Sequence, residues 1–270
     1  MATVYSHSRL STFENCPRQY RYRYIDRLPR PGPGIEAHVG ISVHKALEHY
    51  FSQQHAGRPA PAWDEILATY EKAWNATPAA AMRIVRNGFD SNDYYLLGRH
   101  CLEMYRSEAE DSPGGEILGL EKRVNFSLDK DGRYRLMGYI DRFMLAADGV
   151  YEIHDYKTSG SLPRPRDIEQ DRQLALYEIG VRQDLPAGAE VRHIWHYLTF
   201  GRRFQRALVG GKLQSIARAT MAVIRRVEGE AEFATRTGIL CHWCDFKEHC
   251  AEGRAYLAKQ PQPGLPTVMG

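Results

Sequence analysis

Two short stretches of this sequence hold residue types that could do chemistry. In GYIDRFMLAADGVYEIHDYKTSG, residues 138–160, Asp141, Asp155 and Lys157 lie among apolar and aromatic residues. Charges in such strands are costly unless they are paired or bound to metal. Facing carboxylates need a cation between them, and hard oxygen ligands suit Mg²⁺ or Mn²⁺. A lysine beside such an ion can orient or deprotonate water and stabilise charge on a phosphate. The plainer alternative is an Asp–Lys ladder on a half-exposed hairpin. The second stretch, CHWCDFKEHC at 241–250, packs three cysteines into ten positions of a chain that has five. Three thiolates are one ligand short of a tetrahedral metal or cluster site.

The hairpin's register decides whether its acids can cooperate. With Ala147-Asp148-Gly149 as a three-residue loop and Gly149 left-handed, Ala146 closes against Val150. Counting back puts Asp141 opposite Asp155 on one face, with Lys157 pointing the same way. A two-residue Asp-Gly turn would slip the register and separate the carboxylates. Three strands, near 116–128, 133–146 and 150–158, are expected around these turns. A helix over 167–183 follows, then strands near 190–200 and 203–209 and a helix over 211–228. On that first helix Gln173 and Tyr177 are four apart and share a face. They suit contacts to a phosphate or base, or else form part of the core. Before the strands the chain reads as helical from Gly40, then at 64–76 and 91–111, which gives a helical region ahead of a mixed α/β core.

The bulk properties narrow the class. The chain has 270 residues, 43% hydrophobic and 26% charged, as in ordinary soluble proteins. No run of eighteen apolar residues occurs, and MATVYSHSRLSTFENC has no secretory pattern, so a cytoplasmic protein is expected. There, clustered cysteines more often hold metal than form disulfides. Net charge is only +3, so local patches matter more. One such patch is CPRQYRYRYIDRLPR, where Arg18 and Arg21 alternate with Tyr20 and Tyr22. It reads as a phosphate- and base-contacting surface or as a helix with tyrosines in the core. No G-x-x-x-x-G-K-[ST] motif is present, so any unwinding would come from a partner.

Together these residues resemble the RecB-type branch of the PD-(D/E)xK nuclease superfamily. The resemblance covers SRLSTFENCPRQYRYRYIDRLP, GISVHKALEHYF, GYIDRF, EIHDYKT, DRQLALY and the cysteine segment, in that order. It implies a restriction-endonuclease-like mixed β-sheet core flanked by helices. The chain would comprise an N-terminal DNA-contact and cluster segment (1–30), a helical region bearing His44 (31–115), the nuclease core (116–230) and a cysteine cluster with its tail (231–270), in one integrated domain. His44, Asp141, Asp155 and the Tyr156 carbonyl would bind Mg²⁺ or Mn²⁺, and Lys157 would position water. Gln173 and Tyr177 would shape the DNA path. Glu121 matches the family's additional acid, although a strand-edge Glu–Lys pair is an equal alternative.

In cluster-bearing relatives, AddB-like and CRISPR-associated, the fourth thiolate comes from the N-terminal segment. That implies a [4Fe–4S] cluster on Cys16, Cys241, Cys244 and Cys250. Structural Zn²⁺ is the rival, with His242 and His249 as further ligands. Cys101 reads as a buried small hydrophobe. The implied activity is a metal-dependent DNA nuclease, an exonuclease on single strands or ends, in repair, recombination or defence. A separate helicase or CRISPR adaptation proteins would be its partners. The alternatives are a non-catalytic DNA-binding scaffold and a nuclease trimming DNA for CRISPR adaptation.

Overall fold

A computed structural model describes residues 3–109 and 114–263. The chain opens with helix α1, His7–Asn15, whose first turn is closed by Ser6 Oγ accepting the Arg9 N–H at 3.1 Å. Pro17 disfavours helix at the residue before it, so Cys16 is extended and separates α1 from α2, Pro17–Tyr20. A π-helical turn, Arg21–Ile25, continues α2. Helices α3 (Ile35–His55), α4 (Trp63–Asn75) and α5 (Ser91–Ala109) follow. They enclose an apolar cluster that includes Val43, Leu47, Phe51, Tyr70, Cys101 and Leu102. Cys101 is fully buried there, in keeping with its reading as a small hydrophobe.

Five strands form one sheet in the order β1-β2-β3-β4-β5. They are β1 (Gly115–Ser127), β2 (Arg135–Ala146), β3 (Tyr151–Lys157), β4 (Val191–Tyr197) and β5 (Arg202–Ala207). All neighbours pair antiparallel except β3 and β4. A parallel pair needs a crossover, and here α6 (Pro165–Gln170) and α7 (Gln173–Val181) supply it. Helix α7 packs on the sheet through Leu174, Leu176 and Val181, in one cluster with Ile140, Ile153 and Trp195. Burying each such side chain contributes about 1.5–3 kcal/mol. Helices α8 (Lys212–Gly229) and α9 (Ala251–Leu257) complete the order. Tyr156 and Leu198 belong to the helical cluster, so the helical region and the sheet share a core. No described helix is long and apolar enough to cross a membrane.

The β2–β3 connection is the three-residue loop. Gly149 has φ +82°, its N–H donates to Ala146 O, and Ala146 N–H donates to Val150 O, each at 2.9 Å. The ladder pairs Arg142 with His154; one step further brings Asp141 across from Asp155.

The single helix expected over 167–183 is instead two. Asp171 leaves the helical region, with ψ 126°, and its Oδ1 accepts the Leu174 N–H at 3.2 Å. From β5, Arg206 donates to the carbonyls of Ile168, Glu169 and Asp171, taking up acceptors exposed by the break. The interruption makes Gln173 the first residue of α7.

Candidate active site

Helix α3 and the edges of β1, β2 and β3 converge on His44, Glu121, Asp141 and Tyr156. Asp141 Oδ2 accepts the Tyr156 N–H at 2.8 Å. His44 Nε2 meets the Tyr156 carbonyl at 2.9 Å. A carbonyl only accepts, so Nε2 carries the hydrogen and a neutral ring presents a lone pair at Nδ1. That atom faces Asp141 Oδ1 at 3.5 Å and Glu121 Oε1 at 4.0 Å. One ligand atom from each of His44, Glu121 and Asp141 lies within 4.8 Å of the others. Lone pairs and carboxylates so placed repel until a proton or cation joins them, and a nitrogen with two oxygens is a donor set suited to a divalent ion.

Glu121 is held there at a cost in the backbone. Its φ is +43° inside β1, an unusual conformation for a residue with a side chain. The sequence carries no signal for this kink.

Asp155 and Lys157 form the second half. Asp155 Oδ2 lies 2.7 Å from Lys157 Nζ. Gln173 bridges them, accepting from Nζ through Oε1 and donating through Nε2 to Asp155 Oδ1, both at 3.0 Å. The same amide nitrogen reaches Tyr177 Oη at 3.3 Å. Gln173 is thus a bridge within the acid–lysine constellation. Tyr177 is packed over Gly138, where a Cβ would come within 2.2 Å of its ring.

Burial, reinforced by the neighbouring Asp155 and Glu121 charges, pushes the Asp141 carboxyl up to about 7 against the opposing pull of His44. Glu121 is also raised, chiefly by burial. For Lys157, burial favours the neutral amine, but the Asp155 carboxylate outweighs it and raises the pKa. Lys157 is therefore an ammonium at neutral pH.

The structure corrects part of the arginine–tyrosine expectation. Tyr20 is 2% exposed. Its ring packs against Phe13, Tyr24 and Phe233 and its hydroxyl accepts from Arg9, so it is not free to stack on bases. Arg18 lines the cysteine cavity, and Arg21 pairs with Asp26 at 3.3 Å. The alternating sequence places these side chains around a helix and a π turn, so they do not form one surface stripe.

Cys16, Cys241, Cys244 and Cys250 line one cavity, beside Arg18 and Thr235, and all are free thiols. Backbone N–H groups of Arg236 and Gly253 point at Cys16 Sγ (3.4 Å) and Cys250 Sγ (3.3 Å). Burial first, then the other cysteines' charges, raises the Cys244 thiol to about 11. His242 is buried and His249 is exposed; neither lines the cavity.

Two features were missed in the sequence. Behind the acidic hairpin, Arg142 donates to Tyr105 Oη at 3.0 Å and to His154 Nδ1 at 2.8 Å. His154 Nε2 lies 3.0 Å from Glu152 and Nδ1 lies 2.9 Å from His196. Polar residues alternating with Asp141 and Asp155 were the available sign. On α1, His7 lies near Asp155, Lys157 and Arg172; burial, then the two cations, lowers it to about 4.

A mixed sheet whose bent hairpin carries opposed acids and a D-x-K lysine, closed by a helical histidine, defines a class of phosphodiester-cleaving nucleases. The sequence matches the PD-(D/E)XK nuclease superfamily over residues 4–251, and the chain belongs to that superfamily. Its members generally use divalent metals. Solved structures similar to it include a candidate exonuclease from Eubacterium rectale. That match has 12% identity and a TM-score of 0.49, covering 98% of this chain and 91% of that one. Another is the protein SSO0001, with 14% identity and a TM-score of 0.35 over 91% of this chain and 95% of that one. No curated protein sequence matches.

Proposed function

We propose that this nuclease is a RecB-type, divalent-metal-dependent DNA nuclease, acting as an exonuclease on single strands or ends. The observation that carries the reading is the convergence of His44, Glu121 and Asp141 beside the Asp155–Lys157–Gln173 bridge. His44, Glu121, Asp141 and Asp155 would hold Mg²⁺ or Mn²⁺. The Tyr156 carbonyl, as His44's hydrogen-bond partner, would fix the ring and lie at the edge of the ion's site. A bound ion supplies Lewis-acid stabilisation of the phosphate and acidifies water. Lys157, charged at neutral pH, donates to water or to a phosphate oxygen. Gln173 keeps the ammonium and the Asp155 carboxylate in register, and Tyr177 supports Gln173 from below.

The four-cysteine cavity supports a [4Fe–4S] staple. The support for it is that Cys16, Cys241, Cys244 and Cys250 line one cavity, with structural Zn²⁺ as the rival occupant. Joining Cys16 to the C-terminal cysteines restrains a very long loop, worth about 4.7 kcal/mol for a loop of ~100 residues in the chain-entropy picture. The four sequence segments would then act as one unit, in the cytoplasm, with unwinding supplied by a helicase partner or within CRISPR adaptation.

Cleavage of a labelled single strand should require Mg²⁺ or Mn²⁺. It should fall at least about 100-fold in Asp155→Asn and in Lys157→Met, with circular dichroism unchanged. Full cleavage by either folded variant would overturn the reading.

A further inference from the structure

Helices α6 and α7 are consecutive enough to have formed one helix, and a side chain from β5 keeps them apart. In an unbroken helix each N–H donates to the carbonyl four residues earlier. Ile168 O would then take the Arg172 N–H, Glu169 O the Gln173 N–H and Asp171 O the Ala175 N–H. Arg206 occupies those acceptors instead. Its Nη1 donates to Ile168 O at 2.6 Å and to Glu169 O at 2.8 Å, and its Nη2 donates to Asp171 O at 3.0 Å. Asp171 is extended at the break, and its Oδ1 opens α7 by accepting the Leu174 N–H.

The guanidinium is itself held on the sheet. It lies over the Trp195 ring, 5.2 Å from the centroid. Its Nη2 meets His193 Nδ1 at 3.1 Å. A guanidinium only donates, so the His193 hydrogen sits on Nε2. That nitrogen faces Glu178 Oε2 at 2.8 Å, and both residues are fully buried. Glu178 belongs to α7. Arg206 therefore grips α7 twice, at its start through Asp171 and further along through His193 and Glu178.

The break delivers Gln173 to the site. Its Oε1 accepts from Lys157 Nζ and its Nε2 donates to Asp155 Oδ1, both at 3.0 Å. A helix run straight on from α6 would satisfy its own carbonyls and would need no desolvated cation, which is costly to bury. Its Gln173 would follow the register of α6 and not that of the sheet.

We propose that Arg206 is a positioning residue of the nuclease site: by parting α6 from α7 it aims the Gln173 amide at Lys157 and Asp155. The inference rests on the nuclease reading above and adds to it a residue on β5, a strand that carries none of the site's acids.

A double-mutant cycle and a crystal structure test it. Gln173→Ala should lower kcat for DNA cleavage with Mn²⁺ about 10- to 100-fold, the range for removing a group that orients a metal-site residue. Arg206→Met should reproduce most of that loss. The double variant should match Gln173→Ala within about twofold, because changes that act through one contact do not add. Arg206→Lys runs the same cycle with the charge kept and the planar fork lost, so a poorly folding Arg206→Met leaves the test intact. Losses that multiply in the double variant, or an unchanged kcat in folded Arg206→Met and Arg206→Lys, would make Arg206 ordinary scaffold and overturn the proposal. A crystal structure of either Arg206 variant reads the same claim without chemistry. The Gln173 amide should have left the Lys157–Asp155 bridge; an amide still hydrogen-bonded to both would overturn the proposal. Wild-type protein that cut no DNA would count instead against the nuclease reading, and the crystal structure would still decide the role of Arg206.

Discussion

Asp141 and Tyr156 are joined across the β2–β3 hairpin: the Asp141 carboxylate accepts the Tyr156 N–H at 2.8 Å. A side chain thereby continues a ladder whose end backbone pair is Arg142 with His154. The same Tyr156 turns its carbonyl to His44 Nε2 at 2.9 Å. One peptide segment thus sets both the acid and the imidazole, and a small shift in β3 would move two ligands together.

Ion binding should be pH-dependent in a defined window. The Asp141 carboxyl is raised from 3.8 to about 7, mainly by burial. In the metal-free protein it is protonated below that value while the unfolded chain is ionised above about 4, so this group lowers stability as pH rises from 4 to 7. An ion requires the carboxylate. Mn²⁺ affinity should therefore climb toward pH 7 and flatten above it, with proton release below that point. Calorimetry in buffers of different ionisation enthalpy measures that release; none at pH 6 would refute the assignment.

Gly138→Ala should destabilise the fold by about 1–3 kcal/mol, as overpacking does, because the new Cβ would meet the Tyr177 ring at 2.2 Å. The ring would move off Gln173 as it yielded. Urea unfolding gives the stability, and cleavage kinetics should fall with it; a variant as stable and active as the wild type would show the contact to be slack.

Much of this site was legible because the hairpin's arithmetic is local. Gly149 and the alternation of β2 and β3 define which residue opposes Asp155. The D-x-K and Q-x-x-x-Y spacings then place Lys157, Gln173 and Tyr177. The kink at Glu121 depends on how β1 bends over its neighbour, which no local pattern encodes. The helix break at Asp171 depends on Arg206, distant in sequence and able to satisfy carbonyls that an unbroken helix would have used. Tyr20 misled because a surface-like Arg–Tyr alternation cannot say which tyrosines Phe13 and Phe233 will cover.

Acid should weaken the protein through its buried histidines. His7, His154 and His193 are all lowered, each first by burial. Groups with depressed folded values contribute stability above the unfolded value of about 6.5 and lose it as pH falls below that point. Asp141, Glu121 and Asp171, each raised first by burial, pull the other way, so the histidine share is read as a difference between two proteins. From pH 7 to pH 5, His154→Gln should lose less stability than the wild type, by up to about 1.4 kcal/mol per pH unit. Equal pH slopes in the two proteins would contradict this.

Cys16→Ser should strip the cysteine cavity of its N-terminal ligand. Iron and sulfide content after anaerobic purification should drop, and the melting temperature with it. Cys101→Ser should leave iron content unchanged, since Cys101 lies in the helical core. Stoichiometric zinc and no iron in the wild type would replace the cluster with a zinc staple.

The central claim is that His44, Glu121 and Asp141 form a divalent-ion site. Its most direct measurement is titration of Mn²⁺ into wild-type protein and Asp141→Asn, followed by the electron paramagnetic resonance signal of free Mn²⁺. The wild type should remove the signal stoichiometrically at neutral pH, and the variant should bind at least about 10-fold more weakly. Equal Mn²⁺ uptake by the two proteins would contradict it.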